Sequence, residues 1–163
     1  MRRSCRAQSR RYDDRGTAAV EFAILIPLMC SLLFGIIDYG LFFNESLNVR
    51  QAVRESARRG VVQDFGSPVT AQGLANYTAT EVGAVAGTAY ARVEVPGAWQ
   101  RGEPVLVCAM VDVNDALIDF VPLPLPSGGV VKSKTRMSIE VDTTAVASGS
   151  SAQTGGSDWS WCD

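Results

Sequence analysis

The sequence predicts an α+β protein: a long N-terminal transmembrane and stalk helix packed on a small domain with a short helix and an antiparallel sheet of about three strands. Three observations predict it. Residues 17–43 are apolar apart from Glu21, Ser31 and Asp38. Helix-favouring sequence then continues to a natural stop at Gly60. Beyond it, three stretches alternate apolar and polar residues with the period of two that marks strands.

The apolar run comes first. At 1.5 Å per residue, residues 17–43 give about 40 Å of helix, enough to cross a hydrocarbon core of about 30 Å. A signal-peptide core is shorter and ends at a small-x-small cleavage site. This run does neither, so it reads as an anchor that stays. Before it lie six arginines (Arg2, Arg3, Arg6, Arg10, Arg11 and Arg15) against Asp13 and Asp14. That leader favours a cytoplasmic N-terminus, although Arg50, Arg54, Arg58 and Arg59 beyond the far end compete with it.

The stalk follows over residues 44–60. Glu55 and Arg59 are spaced for an i,i+4 pair. Arg50, Arg54 and Arg58 form one stripe, and Phe42, Ser46, Val49, Val53, Ala57 and Gly60 form a small, apolar one against which a domain can pack. The arginine stripe reads first as a solvated or headgroup-facing surface and second as a partner site.

Residues 61–147 make the domain. Ser67 as N-cap and Pro68 at N1 predict a short helix. Its inward face carries Ala71, Leu74, Ala75, Thr78, Val82 and Val85, as far as about Ala86. Val93 and Val95 belong to a first strand closed by Pro96-Gly97. In "PVLVCAMVDV", Val105, Val107, Ala109, Val111 and Val113 share one face and Leu106, Cys108 and Met110 the other. A strand apolar on both faces is central and covered on both sides. "TRMSIEV" turns Met137, Ile139 and Val141 inward as a third strand. Residues 148–157 are rich in Gly, Ser and Gln and read as a mobile tail. Trp159, Trp161 and Cys162 then suggest an end that docks.

The four cysteines match no CxxC pair and no zinc-ligand spacing. With the N-terminus inside, Cys5 is cytoplasmic, Cys30 lies in the bilayer, and Cys108 and Cys162 are exported to where disulfides persist. Two arrangements fit that pair: a bridge tying the tail to the domain, which is the expectation, or two independent thiols.

Composition also excludes. The chain has no histidine, which removes Ser-His-Asp and Cys-His chemistry and the commonest metal ligand. No GxSxG elbow or P-loop is present. After Gly60 there are five basic and eleven acidic residues, an unfavourable balance for phosphate contacts, so no nucleic acid is expected as a partner. Asp112, Asp115 and Asp119 are spaced by three and four but lack the glycine and terminal Glu of a calcium loop. The expectation is a non-enzyme with no cofactor, no metal and no small-molecule substrate.

The junction "RGTAAVEF" (15–22) carries the sharpest signal. A basic leader ending in Gly16, four small residues from Thr17 to Val20, then Glu21-Phe22 and an apolar span resemble a type IV prepilin-like signal. The longer stretch "RGTAAVEFAILIPLMCSLLFGIIDYG", with Pro27 in the span, resembles TadE-like pseudopilins of tight-adherence (Flp-type) pilus systems. The resemblance covers residues 15–60 and continues faintly through "RGEPVLVCAMVDV" and "VVKSKTRMSIEV". It implies a prepilin peptidase as partner, cutting between Gly16 and Thr17, with other pilin-like subunits, the pilus assembly machinery and membrane lipid as further partners. It implies that Glu21 pairs with the α-ammonium of a neighbouring subunit's Thr17. Pro27 is expected to kink or soften the span. Asp38 reads either as an ordinary interfacial acid or as a partner contact. A different class of protein, a tethered extracytoplasmic binding or sensor module that keeps its leader, fits the span and the acidic domain. It gives no reason for Gly16, the small spacer and Glu21 to occur together.

Overall fold

One helix, α1 (Asp14–Val61), runs for 48 residues, about 70 Å at helical rise. In the computed structural model the described residues are 14–64, 69–113, 125–144, 146–156 and 158–163. Residues 16–29 of α1 are exposed on every side, whereas from Cys30 onward one side becomes covered. Apolar side chains such as Phe22, Ile24 and Leu28, each more than half exposed, belong to a helix, Gly16–Val61, that is long and apolar enough to cross a membrane. Pro27 lies inside α1. Its ring cannot donate to the carbonyl four residues back, and the Ser31 hydroxyl donates to the Pro27 carbonyl at 2.7 Å, a local bond that tends to bend helices.

Further along, α1 buries Phe42, Val49, Ala52, Val53, Ala57 and Val61. Small side chains on this seam let other layers approach closely. At Gly60 an added Cβ would sit 2.7 Å from Leu74 Cδ2, so α2 packs directly on the helix backbone. The last turn holds Arg58 and Arg59, which the negative end of the helix dipole favours. The stop falls within two residues of the expected one.

The short helix α2 is Ala71–Val82, with Thr70 rather than Ser67 as N-cap. The Thr70 hydroxyl accepts from Gly73 N at 3.0 Å, and Gly83 ends the helix in the left-handed region. Ser67 and Pro68 lie outside the described residues, and the expected start there gives way to Ala71. The inward face is otherwise as expected: Ala71, Leu74, Ala75, Thr78 and Val82 are buried. Val85 falls past the helix end and is 73% exposed.

Four strands follow where about three were expected: β1 (Thr88–Glu94), β2 (Pro104–Asp112), β3 (Val130–Ser138) and β4 (Ser151–Gln153), in the order β3-β2-β1-β4. All pairings are antiparallel. The central strand is β2, buried from Val105 to Val111, as its two apolar faces predict. The third strand starts earlier than its alternation suggested and ends before Ile139. Ile139 is buried, but Val141 is 42% exposed rather than inward, because the chain leaves the sheet there and the Glu140 and Val141 amides both reach the Val61 carbonyl at the end of α1. The additional strand, β4, lies in the tail that was expected to be mobile. It pairs with Arg92, Val93 and Glu94 of β1, and backbone pairing needs no apolar signal in "SAQ".

The sheet separates two apolar layers. Ala91, Val93, Val105, Val107, Ala109, Val111 and Val131 pack with α1 and α2. On the opposite face Leu106, Cys108 and Met110 meet Trp159 and Cys162. Cys108 and Cys162 are disulfide-bonded, with Cα atoms 6.0 Å apart, so the bridge and not the pair of independent thiols is what forms.

The bridge closes a loop with a sequence separation of 54, for which chain entropy gives about 4 kcal/mol. Replacing Cys108 and Cys162 together by Ser is expected to lower the thermal unfolding midpoint of the full chain in detergent by about 10–20 °C. Circular dichroism would measure it, and an unchanged midpoint would contradict the role assigned to the bridge.

Candidate functional site

The residues singled out from sequence fall into three places along and behind α1. Gly16, Thr17, Glu21 and Phe22 all lie within the first turns of α1 and are exposed. Thr17 and Glu21, four residues apart, share a face of the helix. Nothing else in the described chain surrounds this end, so the carboxylate of Glu21 points into whatever medium encloses the helix.

Asp38 faces into the protein. It is 2% exposed and engaged within the chain, so the structure encloses it rather than presenting it at an interface. One and two turns on, Phe42 and Glu45 continue the same buried side. The sequence reading had placed Ser46 on that stripe; Ser46 is half-buried and Glu45 is fully enclosed. Its Oε1 accepts from Val85 N at 2.7 Å and Ala86 N at 2.9 Å. These two charge-assisted bonds tie the base of the stalk to the segment between α2 and β1. Oε2 has no hydrogen-bond donor among the described residues. The signal for this residue is the spacing of Asp38, Phe42, Glu45, Val49, Ala52 and Ser56, which alternates by four and three along a single seam. An acid in "NESLN" reads as a solvated residue unless that seam is followed through it.

Across the helix the arginine stripe stays open. Arg50, Arg54 and Arg58 are exposed, with Arg58 4.0 Å from Glu55. Arg59 turns aside: its guanidinium bonds Glu55 at 2.7 Å and lies 5.3 Å from the Tyr77 ring centre. The Glu55 hydrogen bond raises the Arg59 pKa further, while burial, with help from Glu81, pushes the Tyr77 hydroxyl up.

The third place is the far face of the sheet, where the C-terminal residues form a clamp. Both lysines of the chain hold it. Lys134 Nζ donates to the Trp161 carbonyl at 2.8 Å and the Asp163 carbonyl at 2.6 Å. Lys132 Nζ lies 5.7 Å from the Trp161 ring centre and 3.8 Å from Asp158. Trp159 and Trp161 stack with centroids 5.7 Å apart. Gly156 has φ +87°, a conformation L side chains rarely adopt, and a Cβ there would have to displace the Met110 methyl, 2.1 Å away. A groove of about 360 Å³ beside the clamp is lined by Tyr90, Met110, Asp112, Val130, Lys132, Gly156 and Asp158. Its charges are mixed and converge on no common point. Among the described residues no group of three or more His, Cys, Asp or Glu could hold a metal; Asp115 and Asp119 lie outside them.

With this geometry in place, comparison with known families is decisive for the helix. The family model described as TadE-like protein matches residues 16–58. This stretch is similar to the TadE-like family. The match begins at Gly16 and takes in Glu21, Pro27, Asp38, Glu45 and all three arginines of the open stripe, so the TadE-like segment is the anchor and stalk together. The domain beyond residue 58 is outside it. No curated protein matches the chain, and no solved structure does.

Replacing Glu45 by Ala strands the buried Ala86 amide and frees the part-buried Val85 amide, and should cost about 1–3 kcal/mol; Glu45→Gln, which keeps an acceptor, should cost less than half as much. Thermal unfolding of the full chain in detergent checks the ordering, and equal losses would contradict it. At the clamp, hydrogen bonds from the Ser160 hydroxyl and amide hold the Asp158 carboxyl below its ordinary value of 3.8. A depressed carboxyl contributes stability above the unfolded value and loses it as pH falls through the folded one. Tryptophan fluorescence should therefore report loosening of the clamp below about pH 4, and Asp158→Asn should remove that acid transition.

Proposed function

We propose that this chain is a membrane-anchored pseudopilin, cut by a prepilin peptidase between Gly16 and Thr17, that serves Tad/Flp-type pilus assembly as a minor structural component and not as an enzyme. The observation that carries the reading is the junction itself: Gly16, the small spacer and Glu21 open a TadE-like helix whose residues 16–29 are exposed all round. A carboxylate at the head of a membrane helix costs a few kcal/mol if left unpaired. Cleavage after Gly16 creates an ammonium on Thr17, and Glu21 of one subunit then pairs with the new terminus of its neighbour. An ionic pair of this kind specifies register more than it adds stability, so it sets how far one subunit is displaced along the next.

The arginine-rich leader supports a cytoplasmic N-terminus and an extracytoplasmic domain in the cytoplasmic (inner) membrane, and the disulfide agrees with export of the domain. Pro27 softens the span, which eases withdrawal of the subunit from the bilayer. Partners on this reading are the prepilin peptidase, other pilin-like subunits, the assembly machinery and lipid. Some hundred residues follow the helix, more than a major Flp pilin carries, which favours a minor component.

The test is the N-terminus of the membrane-extracted protein, by intact mass and terminal sequencing, with and without the cognate prepilin peptidase. A peptidase-dependent start at Thr17 is expected. A leader retained under both conditions would leave a tethered binding module instead. Glu21→Ala should insert as well as the parent and reduce pilus assembly at least tenfold; unimpaired assembly would remove Glu21 from the mechanism.

A further inference from the structure

The stalk carries one face that the chain leaves uncovered. Phe43 (60% exposed) and Leu47 (58% exposed) lead into Arg50, Arg54 and Arg58, spaced by three and four so that they form a single line. The opposite side of α1 is buried under α2 and the sheet. The open line continues upward from the segment exposed for the membrane, so any helix laid beside that segment meets it next.

A second surface has the opposite charge. At the distal end of α1 four exposed carboxylates gather: Asp64, Glu103, Glu140 and Asp142. Backbone bonds bring them together. The Glu140 amide reaches the Val61 carbonyl, and the Ile139 amide reaches the Glu103 carbonyl. The Gln63 side chain donates to the carbonyls of Val141 and Asp142. Arg101 is the cation bound into this tip, through its amide to Asp142 and its Nε to the Glu140 carbonyl.

We propose that the Arg50–Arg54–Arg58 line docks the acidic tip of a second copy of this chain, displaced along the helix axis. The displacement follows from the positions. Two copies side by side at equal height put arginines level with arginines. From Arg50 and Arg58 to Asp64 is about 10–20 Å along the axis at helical rise, so an offset of that size brings tip and line level. The two surfaces differ, which makes the contact heterologous, and heterologous contacts repeat into open helical arrays unless the rotation closes a ring. The inference rests on the assembly reading above and adds a second contact outside the membrane.

Charge reversal tests it on the full chain in detergent, with self-association followed by energy transfer between labelled copies. R50E/R54E alone and E103R/E140R alone should each associate at least tenfold more weakly than the parent, more so at low salt, where exposed charges are least screened. Mixing the two variants should restore association, because the acidic tip of R50E/R54E then meets the arginine line of E103R/E140R, and the reversed line meets the reversed tip. Circular dichroism confirms that both remain folded. Parent-like association of R50E/R54E, or a mixture that stays weak, would overturn the contact. So would reversal that abolishes binding to vesicles containing phosphatidylglycerol yet leaves self-association intact, which would make the line a headgroup surface. A retained leader with reversal-sensitive association would overturn the processing alone, and a chain cut at Gly16 whose association ignores the reversals would overturn this contact alone.

Discussion

The seam that α1 presents to the sheet and α2 supports every other part of the structure, because one helix has to satisfy two solvents in turn. Over residues 16–29 it is apolar and exposed all round, the surface of a helix that could lie in a bilayer. Higher up it is one-sided, and Val49, Val53 and Ala57 are completely enclosed. The change occurs without interrupting the helix, so the position and tilt of the domain are set by the anchor. A flexible joint would free the domain to turn; a continuous backbone hydrogen-bond ladder does not. Small residues are the condition for this. Gly60 under Leu74 shows how little space is left between the layers.

Glu45 has a particular place in that seam. A carboxylate with no exposure is costly unless hydrogen-bonded, and the two amides it receives come from a segment forty residues away in sequence. It therefore fixes where the chain leaving α2 turns into β1. Next to that turn Gly87 has φ +89° and leaves no space for a Cβ against the Asp112 carbonyl. The base of the domain is thus defined by a buried acid on one side and a close backbone approach on the other. The opposite face is closed by different chemistry, a disulfide with two lysines and two stacked tryptophans. Among the described residues, each face of the sheet is thus covered by an apolar layer.

Considered together, the charges divide the exposed surface of the protein into zones. Glu21 lies at the start of the helix, the arginines follow some 45 Å further on at helical rise, and the carboxylates crown the tip. A subunit so polarised along its axis has different ends and different sides. On the proposed assembly, association would be staggered and head-to-tail rather than symmetric.

The sequence by itself determined the parts that depend on local pattern. The length of the apolar run, the alternation in "PVLVCAMVDV" and the junction at Gly16 each report a property of consecutive residues: helix rise, strand periodicity and a linear motif. These made the anchor, the central strand and the TadE-like segment legible. The position of Cys162 beside two tryptophans hinted at a docked end, but Lys132 and Lys134 as its clasp were not visible, because their partners lie more than twenty residues away. Tertiary structure decided the rest for the same reason. Whether Glu45 or Ser46 faces inward is a question of about 100° of helix rotation, settled by the layer that packs there. Whether "SAQ" is a tail or a strand depends on an edge of β1 being open to receive it. Asp38 is enclosed, and no periodicity in an apolar run records that.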